Sequence, residues 1–123
     1  MKIFRPERHR KFHRPLVRIT NIITFLSSQA EQYKIVLKSV ADAKAAVRYF
    51  RKDHTINANT YGIDPSTIFV GGYSSGGVIA IHMAFIDAVS DLPTAPIDVQ
   101  DLVNTIGGNL EGDAGNVGYS SDV

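Results

Sequence analysis

From Glu31 to about Lys52 the apolar positions Val36, Val40, Ala43, Val47 and Phe50 fall at spacings of four, three, four and three. That period traces one face of a helix. Ser27 and Ser28 supply N-cap oxygens ahead of it, and Glu31 stands three residues after Ser28 as a capping box requires. Its alanine-rich centre suits helix propensity and close packing, while Lys34, Lys38, Lys44, Arg48 and Arg51 lie mostly off the stripe.

Two runs carry the composition of buried strands: Val17 to Phe25, rich in Val, Ile, Thr and Phe, and the shorter Thr67 to Val70. Between the helix and the second run, His54 to Tyr61 is polar, and Gly62, Asp64 and Pro65 punctuate it as loop and turn. Val78 to Val89 is apolar almost throughout and predicts a helix buried against a sheet. The order strand, helix, strand, helix predicts an α/β fold with parallel strands alternating with helices in an incomplete sheet. Beyond Ser90, Pro93 and Pro96 break helices, Ile97 to Ile106 predicts a short helix around Val99, Leu102 and Val103, and Gly107 to Val123 reads as loop. Uncovered sheet edges in so small a sheet predict self-association and marginal stability.

A length of 123 residues, 44% hydrophobic and 20% charged, fits one small soluble globular domain. The absence of cysteine excludes a disulfide framework and a thiolate metal site. The formal net charge of +1 conceals a basic arm over residues 1–16 and just beyond, with Lys2, Arg5, Arg8, Arg10, Lys11, Arg14 and Arg18 against Glu7 alone. Residues 17–123 then form the domain, loop-like from about 107. The arm matches no nucleic-acid-binding motif and reads as solvated. Leu16 to Leu26 resembles the apolar core of a signal peptide, but Arg18, Thr20 and Asn21 interrupt it and no cleavage pattern follows. No stretch approaches the roughly 20 apolar residues that span a bilayer, so no membrane span is expected. Location is undetermined.

The candidate chemistry lies at Gly72, Tyr73, Ser74, Ser75 and Gly76, which fit G-x-S-x-G directly after a β-branched run and directly before an apolar helix. A serine that attacks a carbonyl must project from a sharp turn, and Gly72 and Gly76 supply the room for it. Helix N-terminal amides then face the reacting centre, with the Ser75 N–H as first donor of an oxyanion hole. Gly77 would let strand and helix approach closely. Two other readings of this turn remain open: a phosphate-binding strand-turn-helix, although neither G-x-G-x-x-G nor Gly-Lys-Ser/Thr is present, and a non-catalytic packing motif in a protein that associates through its surface or basic arm.

Asp42 to Arg51, then Tyr61, Gly62, Ile63, Asp64 and Pro65, then Ile68 to Gly77 closely resemble the combined pattern of α/β-hydrolase esterases, lipases and carboxylesterases. The resemblance covers about Glu31 to Phe85, and the tail from Gly107 is similar to a loop in some bacterial members. It implies hydrolysis of a small-molecule carboxylic ester by a Ser/His/acid triad, with Ser74 as nucleophile, Ser75 N–H in the oxyanion hole, Asp42 and Asp64 structural, and no cofactor, metal or nucleic acid.

The pattern is incomplete. The triad order of this fold is nucleophile, acid, histidine, yet no histidine follows His82, and the H-G-G-G-type oxyanion loop is absent. His82 is eight residues from Ser74 on one helix, about 12 Å along its axis, and His9, His13 and His54 lie on the arm or in a preceding loop. Asp87, Asp91 and Asp98 read as solvated carboxylates. Glu111, Asp113 and Asp122 lack EF-hand spacing. Without its base a serine hydroxyl is a poor nucleophile, so the chain by itself is expected to be a fragment of a longer enzyme and inactive or nearly so.

Overall fold

The structure is a computed structural model that describes residues 28–111 and 115–123. Its longest element, α1, spans Gln29–Ile56. Ser28 caps it, its side-chain oxygen accepting from Glu31 N–H, and Lys34 pairs with Glu31 at 2.9 Å one turn on. At the other end Asn57 and Asn59 both donate backbone N–H to the Asp53 carbonyl, while the buried Asp53 carboxylate accepts from Tyr61 N–H. Ala58 and Asn59 adopt positive φ there, which reverses the chain.

A turn at Asp64–Thr67 then redirects it. Thr67 N–H donates to the Asp64 carbonyl, and the Asp64 carboxylate accepts from the Ser66 N–H at 2.9 Å and its hydroxyl at 2.6 Å. These hydrogen bonds, the hydroxyl one foremost, hold the Asp64 carboxyl below its ordinary range. Helix α2, Ser75–Phe85, follows the glycine-rich turn. It ends where Asp91 intervenes, because that carboxylate accepts the N–H groups of Asp87 and Ala88 and draws the chain into a 3₁₀ turn, Val89–Asp91. Helix α3, Val99–Leu102, is capped by Asp98 and runs into a second 3₁₀ turn, Val103–Ile106, which Gly107 terminates at φ 109.

The expected α/β architecture is not what forms. Every regular element among the described residues is helical, with no strand and no sheet. The run Val17–Phe25 lies outside the described residues. Thr67–Val70 does run as non-helical chain, but a strand is defined by ladder hydrogen bonds to a neighbour, and no described segment provides them. The segment is held by side-chain contacts: Ile68 and Val70 pack with Val36, Ala43 and Ile79 against the buried Val40, Val47 and Met83. α2 likewise covers one flank of α1 rather than a sheet, and only Met83 of it is buried.

α1 is buried on a second flank as well. There Leu37 joins Leu92, Val99, Val103 and Ile106 in a core bordered by Ile86, Val89, Leu102 and Leu110. This core brings the 99–106 region against α1. Among the described residues no helix is long and apolar enough to cross a membrane.

Candidate functional site

Ser74 stands between the extended segment and α2, at the N-cap position, with φ 54 and ψ −121. A positive φ on a residue with a Cβ is strained and persists only where surrounding contacts over-determine it. Here the contacts are backbone to backbone. Gly76 N–H donates to the Tyr73 carbonyl at 3.0 Å, and the N–H groups of Gly77 and Val78 both donate to the Ser74 carbonyl, at 2.9 and 3.2 Å. The Ser74 hydroxyl makes no capping hydrogen bond and its side chain is exposed. Among the described residues the Ser75 N–H has no acceptor, so a free amide dipole sits beside that hydroxyl at the positive end of α2.

The glycines of the turn have different tasks. A Cβ on Gly72 would lie 2.2 Å from the Gly76 carbonyl carbon, 2.3 Å from its oxygen and 2.7 Å from its Cα, which no backbone tolerates. A Cβ on Gly77 would meet the Gly72 carbonyl oxygen at 3.3 Å, a tight contact. Gly71 and Gly76 face open space. Gly76→Ala is therefore expected to leave the turn intact and, as a helical position with no clash, to raise stability by about 0.4–1 kcal/mol; thermal unfolding of the variant checks this.

His82 lies further along α2 with its Nδ1 2.8 Å from the Val78 carbonyl oxygen. A carbonyl can only accept, so Nδ1 carries the proton and Nε2 of the neutral ring keeps its lone pair. His54 is exposed near the end of α1, and His9 and His13 lie outside the described residues. The structure brings neither described histidine into a hydrogen bond with Ser74. Asp91 and Asp98 are occupied by backbone N–H groups and Asp87 is exposed. No group of three His, Cys, Asp or Glu residues among those described could hold a metal ion.

The best-connected polar cluster is one that helical periodicity does not reveal. Lys44 and Arg48, off the apolar stripe of α1, are nonetheless buried, and both pair with Glu111: Lys44 Nζ at 3.1 Å from Oε1, and Arg48 Nη1 on Oε2. Arg48 also donates to the carbonyls of Glu111 and Gly115, and the Ser121 hydroxyl donates to Glu111 Oε1 at 2.7 Å. One turn on, Arg51 donates to the Ser120 and Pro65 carbonyls and Lys52 to Asn116 Oδ1. Four basic side chains of α1 thus tie down the tail. Partial burial raises the affinity of Glu111 for a proton, but hydrogen bonds from Ser121 and Lys44 and the charges of Lys44 and Arg48 outweigh it and hold its carboxyl below the usual range.

Comparison with known families gives a match to BD-FAE over residues 36–107, more than half of the chain, which takes in most of α1, the turn at Ser74, α2 and α3. Neither the curated proteins nor the solved structures contain a match.

Proposed function

The chain belongs to the BD-FAE family, which is associated with α/β-hydrolase-like esterases, and on that premise we propose that it carries the nucleophilic part of a carboxylic ester hydrolase, with Ser74 as the attacking group. The observation that supports this best is the backbone at Ser74: φ 54, an uncapped exposed hydroxyl and an adjacent amide with no acceptor among the described residues. A turn that merely joined two elements has no need of such strain at a serine.

In the proposed reaction Ser74 Oγ adds to the ester carbonyl carbon as its proton leaves to a base. The carbonyl π electrons move to oxygen, and the Ser75 N–H donates to that oxyanion. Collapse expels the alcohol, which takes up a proton, and leaves an acyl-serine that water hydrolyses to the acid and free Ser74. Gly72 and Gly77 act by letting the first turn of α2 close against the preceding chain. The substrate is a small-molecule ester. With Nδ1 of His82 committed to Val78 and neither described histidine bonded to Ser74, proton removal is the slow part, and hydrolysis by this chain alone is expected to be weak or undetectable.

A fluorophosphonate probe tests the nucleophile without requiring turnover. The expected result by intact mass is slow addition of one probe per chain, lost in Ser74→Ala and after heat denaturation. A chain shown by circular dichroism to be folded, yet unlabelled under the same conditions, would remove the basis for this reading. Protection of the turn by inorganic phosphate without labelling would instead favour an anion-binding turn.

A further inference from the structure

We infer that Tyr49 and Tyr61 form a site of oxidative modification, at which a peroxide-driven one-electron oxidant joins the two phenol rings into dityrosine within a single chain. This is separate from the proposed ester chemistry and does not depend on it. The two phenol oxygens are hydrogen-bonded at 3.2 Å, with ring centroids 6.0 Å apart and ring planes inclined by 60°. Coupling of two phenoxyl radicals forms a bond between the ring carbons that neighbour the C–O groups, and the product holds its rings twisted with both oxygens side by side. The pair needs only a small closure to reach that arrangement. Tyr49 is 42% and Tyr61 38% exposed, so an oxidant reaches both.

The fold holds the two rings together. Phe50 stands edge-on to both, its centroid 5.8 Å from Tyr49 and 5.4 Å from Tyr61, and the Tyr61 N–H donates to the buried Asp53 carboxylate. One radical therefore meets the other at an effective concentration far above that of a second chain. The chain has no cysteine and no tryptophan to drain a tyrosyl radical, and Met83 is buried. Among the described residues no other two tyrosine rings are in contact; Tyr73, at 95% the most exposed, has no ring beside it. In the reaction each phenol gives up one electron and one proton, the radicals couple, and the two ring hydrogens at the new bond move to the oxygens and restore both hydroxyls. Hydrogen peroxide takes the two electrons and two protons and leaves as two waters.

Treatment of the dilute chain with a haem peroxidase and limiting hydrogen peroxide tests the site. The expected product is a single chain lighter by two hydrogen atoms, with dityrosine fluorescence, in excess over cross-linked dimers by about tenfold or more. Cleavage with trypsin and before aspartates should leave residues 49–51 joined to residues 53–63, a peptide in which Tyr61 is the sole tyrosine. Tyr49→Phe and Tyr61→Phe should each abolish this product while keeping the ring packing, which circular dichroism of the variants verifies. Tyr73→Phe should leave it unchanged, and unfolding in urea before oxidation should remove the preference for the intrachain link. Dimers as the main product, a link that survives Tyr61→Phe, or oxidation without any link would each overturn the inference.

Discussion

Alanine in place of Gly72 is expected to lower stability by about 3 kcal/mol, the upper range for overpacking, and to abolish probe labelling at Ser74. The added methyl would stand 2.2 Å from the Gly76 carbonyl carbon. All three atoms that it meets are backbone, so no side chain can swing aside. Either the first turn of α2 opens or the chain before Ser74 shifts, and both changes release the contacts that keep Ser74 at φ 54. Gly71→Ala is the control, since nothing lies within 4 Å of its added carbon. Thermal unfolding and intact-mass labelling of the two variants give the result; a Gly72→Ala chain as stable and as reactive as the parent would mean that the turn is not closed as described.

Removing the carboxylate of Glu111 should be felt almost as strongly. Glu111→Ala leaves Lys44, 7% exposed, and Arg48, 4% exposed, without their counter-charge, and deprives Ser121 of its acceptor. Breaking a fully buried pair costs about 3–5 kcal/mol. The Glu111 side chain is 44% exposed, and solvent screening and the surviving Arg48 bonds to main-chain carbonyls reduce this to about 2 kcal/mol. The tail should then detach from α1, seen as faster proteolysis near Gly115 and earlier thermal unfolding. An unchanged digestion pattern would count against the clamp.

The same carboxylate predicts a direction for acid sensitivity. Its folded pKa is below the ordinary value of 4.5, so the unfolded chain binds a proton more readily than the folded one. The stabilisation is complete above about 4.5 and is lost as pH falls through the lower folded value. Comparing the parent with Glu111→Gln isolates it: their difference in unfolding temperature should shrink as the parent's carboxylate protonates, and a difference constant down to strongly acidic pH would exclude the linkage.

Much of the local structure is legible because it is set by neighbours in sequence. The spacing of Val36, Val40, Ala43 and Val47 and the cap at Ser28 locate α1, which extends a turn beyond Lys52 because Asp53 organises the following loop. Asp64 and Pro65 mark a turn, and the 97–106 stretch folds as a short helix continued by a 3₁₀ turn. The apolar run Val78 to Val89 misleads in two ways. Hydrophobicity cannot show that Asp91 will take the backbone N–H groups after Phe85, nor that Val78, Ile81 and Phe85 stay exposed. Lys44 and Arg48 pass for surface charges because their partner, Glu111, is more than sixty residues away.

By itself, then, the order of residues determined the long helix, the turn chemistry and the position of a strained serine ahead of a helix, since periods, caps and small residues act over a few bonds. Tertiary structure alone decided that Thr67–Val70 pairs with no described neighbour, that α1 is buried on two flanks and that its off-stripe cations hold the tail. A strand and a buried charge both require a distant partner, and distance in sequence carries no mark of who that partner is.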